Sequence, residues 1–259
     1  MPDQSKAPQL AVVIMAAGKG TRMKNPEMAK VMHEIQGKPM VEYVVDLAAK
    51  LLAQQTLLIV GWQKESVKAY IANVFPRVEF VDQDEQHGTG HAVMQATPLL
   101  AEFEGDILVL SGDVPLLTEK TARALLGYHR ASKASATILT ADLDDPSGYG
   151  RIIRNSDDSV QKIVEHKDAS KKELAITEVN SGIYIFDKEK LLACLKELKP
   201  NNAQGEYYLT DVFESFWKNK WLVSAVKVID AIEVMGINDL SQLEEARRLM
   251  GLRPAPGKA

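Results

Sequence analysis

The chain has 259 residues, 46% of them hydrophobic and 25% charged, which suits one large α/β domain or two small ones and excludes a disordered or fibrous chain. A formal net charge of -4 argues against a nucleic-acid partner, because binding a phosphate backbone needs clustered Lys and Arg. The single cysteine, Cys194, forms no internal disulfide, no stretch reaches membrane-spanning length, and residues 1–9 lack a signal-type apolar core. A cytoplasmic protein without a membrane partner is therefore expected.

In chain order, residues 1–9 read as a flexible N-terminus and 10–17 as a buried first strand. Met40, Val44, Leu47, Ala48 and Leu51 fall at helical spacing, with Pro39 suited to the first turn. Strands follow at 56–60, 78–82 and 107–110, each separated by a helix-length segment, so the pattern is that of βαβ units around a largely parallel sheet. Beyond residue 135 the strands shorten, to 136–141, 151–154, 160–165 and 179–186, which reads as a smaller β-rich lobe over 136–235. A helix from about Lys188, a strand at 222–229 and a helix at 239–250 complete the reading, with 251–259 as a loose tail. No internal repeat is present, and in particular no hexapeptide period of the kind that builds a β-helix.

The first strand runs into Ala16-Ala17-Gly18-Lys19-Gly20-Thr21-Arg22-Met23, a small-residue loop where an α/β sheet offers a phosphate site. Backbone N–H groups there can approach an anion closely, and Arg22 and nearby lysines can neutralise it. The Walker frame is absent, and Met23 occupies the position of the third glycine of the dinucleotide fingerprint. Taken alone, the loop has a plainer but less favoured reading as a tight turn with solvated charges.

Ser111-Gly112-Asp113-Val114-Pro115 ends an apolar strand in a glycine and a carboxylate. A lone Asp on the ligand-binding edge, joined by triphosphate oxygens, suits Mg²⁺; an Asp opening a turn before Pro115 is the plainer reading. The polar loop Gln83-Asp84-Glu85-Gln86-His87-Gly88-Thr89-Gly90-His91 offers amide donors and acceptors for a pyrimidine edge, or is simply a helix start capped by Thr89. Ser147 to Arg151, Val164 to Lys167 and Val179 to Gly182 place polar groups beside strands, as sugar sites do. The five histidines lack metal-ligand spacing.

Taken together, over residues 10–250, these segments resemble the uridylyltransferase half of the bacterial bifunctional N-acetylglucosamine-1-phosphate uridylyltransferase and glucosamine-1-phosphate acetyltransferase. The resemblance implies a Rossmann-like three-layer α/β/α fold with a mixed, mostly parallel sheet, of the nucleotide-diphospho-sugar transferase type. It implies UTP and N-acetylglucosamine 1-phosphate as substrates and Mg²⁺ as cofactor. Met15, Ala16, Ala17, Gly18, Gln83, Gly88 and Thr89 would contact the nucleotide, and Arg22 and Lys30 the phosphates. Ser111, Gly112, Gly150, Glu165 and Asn180 would line the sugar side, with Asp113 and Asn238 as the metal ligands. Asn201 to Asp211 also looks like a family segment near the sugar.

Two departures stand out. The stretch Lys24-Asn25-Pro26-Glu27-Met28-Ala29-Lys30 is one residue longer than the family's usual form, with Ala29 in place of its proline. The chain also ends before any acetyltransferase repeats, so no obligate trimer is expected, and a monomer or weak oligomer is. The implied reaction is in-line attack by the sugar-phosphate oxygen on the α-phosphorus of UTP, needing charge neutralisation more than a general base. The rivals are transfer involving another sugar phosphate or nucleotide, and a sensor that binds without turnover.

Overall fold

The computed structural model describes residues 8–252. The expected loose ends shrink at both sides: Gln9 already pairs in the first strand and the last helix continues through Leu252, while the remaining terminal residues lie outside those described. In order, the elements are β1 (Gln9–Ala16), the short hairpin β2 (Glu34–Ile35) and β3 (Lys38–Pro39), α1 (Met40–Lys50), β4 (Gln55–Val60), α2 (Lys64–Val74), β5 (Glu79–Asp82), α3 (Thr89–Leu100), β6 (Gly105–Ser111) and α4 (Glu119–Ser132). They continue with β7 (Ala136–Asp142), β8 (Arg151–Arg154), β9 (Val160–Val164), α5 (Lys171–Leu174), β10 (Glu178–Asp187), α6 (Lys188–Leu195), α7 (Val212–Lys218), β11 (Val223–Lys227) and α8 (Leu240–Leu252). Pro39 sits at the N-cap of α1, one position before the expected first turn, where its fixed φ of -56° and missing N–H cost the helix nothing.

The strands form a nine-stranded sheet ordered β11-β7-β10-β6-β1-β4-β5, with β8 and β9 attached beside β10. β1, β4, β5 and β6 are parallel, whereas β10 runs antiparallel to β6 and β7. In the second part of the chain β7, β10 and β11 extend the main sheet, and β8 and β9 stand off its path. Ile183, Tyr184, Ile185 and Phe186 of β10 are buried on both faces, as a central strand demands.

Two apolar layers cover the sheet. On one face Val12, Ile14, Leu58 and Leu110 pack with Val44, Leu47 and Leu125 from the flanking helices. On the other, Val13, Ile59, Val93, Phe186 and Phe213 pack together. A third cluster joins Met23, Ile35, Met40, Leu116 and Ile237 to Leu243 and Ala246 of α8, drawing the C-terminal helix onto the loops after β1 and β6.

Phe213 is fully buried, its ring 5.5 Å from both Tyr184 and Phe186 and 5.8 Å from Trp217. Removing it empties a closed aromatic layer. Phe213→Ala is expected to lower unfolding free energy by about 3–5 kcal/mol in denaturant titrations. A loss under about 1 kcal/mol would show that this layer repacks freely.

Candidate active site

The parallel register aligns the C-terminal ends of four strands. Met15 lies opposite Ser111, Ala16 opposite Val60, and Val60 opposite Asp82. The loops that leave those strands therefore emerge on one edge, the ligand-binding edge of an open α/β sheet. There they enclose a cavity of about 280 Å³ lined by Met15, Ala16, Ala17, Gly18, Gln83, Gly88, Thr89, Ser111 and Asp113, with Lys30 at its side. All seven residues expected at the nucleotide are in this lining. Val31, Gln86, Ala92 and Glu206 line it too; Gln86 and Glu206 lay within quoted segments, whereas no motif pointed to Val31 or Ala92.

A second cavity of about 190 Å³ adjoins it, lined by Gly150, Glu165, Asn180, Tyr149, Tyr184 and Thr210 among others. Met15, Thr89 and Ser111 line both cavities, so one continuous cleft has a nucleotide-sized part and a sugar-sized part. Gly112 lies beneath the first, its N–H donating to Met15 O at 2.9 Å.

Lys30, Asp113 and Asn238 meet beside the first cavity although 208 residues separate the first from the last. The Lys30 ammonium is ion-paired with Asp113 Oδ2 and donates to Asn238 Oδ1 at 3.1 Å. Backbone bonding explains the meeting: Ile237 N–H donates to Asp113 O at 2.9 Å, and Ile237 itself is buried in the third apolar cluster. Asn238 is oriented by its own neighbours, its Nδ2 donating to Gly236 O and its N–H to Gln242 Oε1, which leaves Oδ1 for the cation.

The longer loop before Lys30 is absorbed at the surface. Pro26 O accepts from Trp62 Nε1 at 3.2 Å and from Gln63 Nε2 at 3.3 Å, while Ala29 and Val31 are buried on either side of Lys30. Lys30 crosses directly over Gly20, whose φ is 60°; a Cβ there would fall 2.4 Å from Lys30 Cβ. Only glycine permits that crossing. Arg22, by contrast, is exposed on the turn after Gly20, outside the cavity lining, and makes no hydrogen bond among the described residues.

In the sugar-sized part, Thr210 Oγ1 donates to Glu165 Oε1 at 3.0 Å, and Gly150 lies against the same carboxylate. Asn180 Nδ2 donates to Tyr184 Oη at 2.6 Å. Arg151, 2% exposed, donates to the carbonyls of Tyr149 and Leu174 and so fixes the Tyr149-Gly150 turn. Tyr149 Oη in turn accepts from Gly236 N–H at 3.2 Å, tying this part to the loop that carries Asn238. Thr210 lay within a recognised segment and Tyr149 within a quoted motif, but no spacing rule could give either its partner.

Thr89 does not cap α3 as expected. Gly88 takes the N-cap with φ 108°, because a Cβ there would meet Tyr207 O at 2.6 Å, and Thr89 Oγ1 accepts from Leu209 N–H at 3.0 Å instead. The hydroxyl thereby joins the nucleotide loop to the segment that holds Glu165.

Burial raises the Glu165 carboxyl above its ordinary range, with Asp168 adding to it and the Thr210 bond opposing it. Burial, followed by the nearby carboxylates of Glu214, Glu165 and Asp168, pushes Asp211 up to about 6.

A family model for nucleotidyl transferases matches residues 11–231, and the chain belongs to that family. It is 50% identical over 238 residues to the bifunctional protein GlmU of Geobacillus sp. (strain WCH70), covering 92% of this chain and 51% of that protein. It is 49% identical over 244 residues to the bifunctional protein GlmU of Acetivibrio thermocellus, covering 94% and 52%. The chain thus spans about half the length of the curated relatives it matches. Among solved structures, a putative glucose-1-phosphate thymidylyltransferase from Bacillus anthracis in complex with sucrose superposes with a TM-score of 0.76 at 20% identity, covering 96% of this chain and 98% of that one. A UDP-glucose pyrophosphorylase complexed with UDP-glucose gives 0.71 at 18%, covering 94% and 98%. Both share the Rossmann-like fold. No helix among the described residues is long and apolar enough to cross a membrane.

A carboxylate held above its unfolded pKa binds more protons folded than unfolded, so stability falls as pH rises across that interval. For Asp211 the interval runs from the ordinary 3.8 to about 6. Asp211→Asn should therefore gain thermal stability relative to the parent between those pH values and keep a constant advantage above them. A stability difference that stays level across the same pH series would contradict the assigned burial.

Proposed function

We propose that this chain transfers UMP from UTP to N-acetylglucosamine 1-phosphate, forming UDP-N-acetylglucosamine and pyrophosphate, with Mg²⁺ as cofactor and in the cytoplasm. One observation carries the reading: an acidic side chain, an amide oxygen and a lysine converge at the wall of a nucleotide-sized cavity that opens into a sugar-sized one. Similarity of about half of all residues to proteins named GlmU supports the choice of substrates.

The donor set suits Mg²⁺. A single ammonium touches both Asp113 Oδ2 and Asn238 Oδ1, so both oxygens can serve one cation. No cluster of three or more His, Cys, Asp or Glu able to hold a metal occurs among the described residues. Two protein oxygens with substrate phosphates and water completing the shell is the usual magnesium arrangement. Bound there, Mg²⁺ would offset the repulsion between the two phosphate groups that must approach each other.

The chain's own residues supply the rest. Gln83, Gly88 and Thr89 hold the base and ribose side, and the Ala16 to Gly18 turn lets backbone approach the triphosphate. Glu165 and Asn180 bind sugar hydroxyl and acetamido groups, with Ser111, Gly112 and Gly150 shaping the passage. Lys30 would turn to the phosphates, where with Arg22 it would steady the departing pyrophosphate. The attacking phosphate oxygen is already anionic, so positioning and charge neutralisation suffice without a strong base.

The test is pyrophosphate release from UTP and N-acetylglucosamine 1-phosphate with Mg²⁺, with glucosamine 1-phosphate, glucose 1-phosphate and CTP as controls. Asp113→Asn and Asn238→Ala should each reduce kcat roughly a hundredfold, by analogy with other lost transition-state contacts, while the fold is retained. Turnover of the controls in preference to the named pair, or near-normal kcat in both variants, would overturn the reading.

A further inference from the structure

His91 is absent from the linings of both parts of the cleft, yet it touches the amide that faces the base. Gln83 is 3% exposed, and its N–H donates to Val60 O at 2.8 Å, which fixes its backbone at the end of β5. Its side-chain nitrogen lies 3.1 Å from Gly88 O and 3.0 Å from His91 Nδ1. Gly88 O can only accept, so the atom facing it is the amide NH₂. The same NH₂ faces His91 Nδ1, which must then be the unprotonated ring nitrogen, with the proton on Nε2.

The Gln95 amide nitrogen lies 3.1 Å from Nε2 and also donates to His91 O at 3.3 Å, an acceptor that holds it as the NH₂ end, so the tautomer is set at Nδ1 by the Gln83 amide, whose own end Gly88 O fixes. Burial, and after it the neighbouring His87, lowers the His91 pKa against an opposing backbone contact and charge from Glu85, which favours the neutral ring. The ring is held in place by His87, whose centroid is 5.1 Å away, and by Tyr207 at 6.2 Å.

Both protons of the Gln83 amide are thus engaged by protein acceptors. Its Oε1 has no partner among the described residues, and Gln83 lines the nucleotide cavity. We propose that His91 is a positioning residue that locks the Gln83 amide end for end, leaving its carbonyl oxygen to the cavity, so that the site selects a base bearing a proton on its ring nitrogen. Uracil offers N3–H to that oxygen. Cytosine offers a lone pair at N3 and sets acceptor against acceptor. The proposal rests on a pyrimidine nucleotide binding in this cavity, as proposed above, and adds which side chain decides between the two pyrimidines.

Two measurements separate this lock from the substrate assignment. In the free full chain, long-range nitrogen–proton NMR should show His91 Nδ1 without a proton and Nε2 with one near neutral pH; a protonated Nδ1 overturns the lock whatever the substrate. In turnover, the ratio of kcat/KM for UTP over CTP should fall at least about tenfold in His91→Leu, through KM for UTP rather than kcat. His91→Asn, which restores an acceptor near the Nδ1 position, should keep the ratio close to the parent's. An unchanged ratio in a folded His91→Leu chain overturns the proposal, as does an equal loss in both variants. Failure of the parent chain to use UTP at all would sink the proposed function while leaving the NMR result to judge the lock.

Discussion

Everything in the site depends on one positive charge held between the Asp113 carboxylate and the Asn238 amide oxygen. In the free protein that charge is the Lys30 ammonium, with side chains only 14% and 17% exposed across the ion pair. A carboxylate at the end of a central strand, partly removed from water, needs a cation beside it, and the fold supplies one from a distant loop. The arrangement is a preformed cation position, which the lysine satisfies in the free protein and which the proposed Mg²⁺ would take over.

The two parts of the cleft are mechanically joined. Gly88 lies against Tyr207, Tyr207 N–H donates to His87 O, and Thr89 receives the N–H of Leu209. The next residue, Thr210, holds Glu165, and Tyr149 on the opposite wall holds the Gly236 turn before Asn238. Short hydrogen-bonded steps therefore run from the loop after β5 to the Glu165 carboxylate and from the Tyr149 turn to the segment that carries Asn238. The raised carboxyls of Glu165 and Asp211 show that this wall is built at some cost to stability, as binding sites commonly are.

The parallel half of the sheet was legible because its strands are apolar runs separated by helices, and the motifs after β1, β5 and β6 fall on one edge by topology alone. Asp113 and Gln83 could be read as site residues for that reason. How the second half joins the sheet was not legible, because strand length says nothing about which partner a strand chooses. Where Lys30 points was also beyond local pattern, since it is decided by Gly20 beneath it and by an asparagine 208 residues away. Thr210, Tyr149 and His91 are of the same kind: each acts by touching another side chain, and contacts of that sort leave no period or spacing in the sequence.

The central claim is that Asp113 and Asn238 are the protein's oxygens for a divalent cation and that Lys30 yields this position. It is tested most directly by a crystal structure with UTP and Mn²⁺, locating the metal by its anomalous signal. The account predicts a single Mn²⁺ peak ligated by Asp113 and Asn238, with the Lys30 ammonium moved onto phosphate oxygens. Nucleotide bound with the Lys30–Asp113 pair intact and the metal held elsewhere would contradict it.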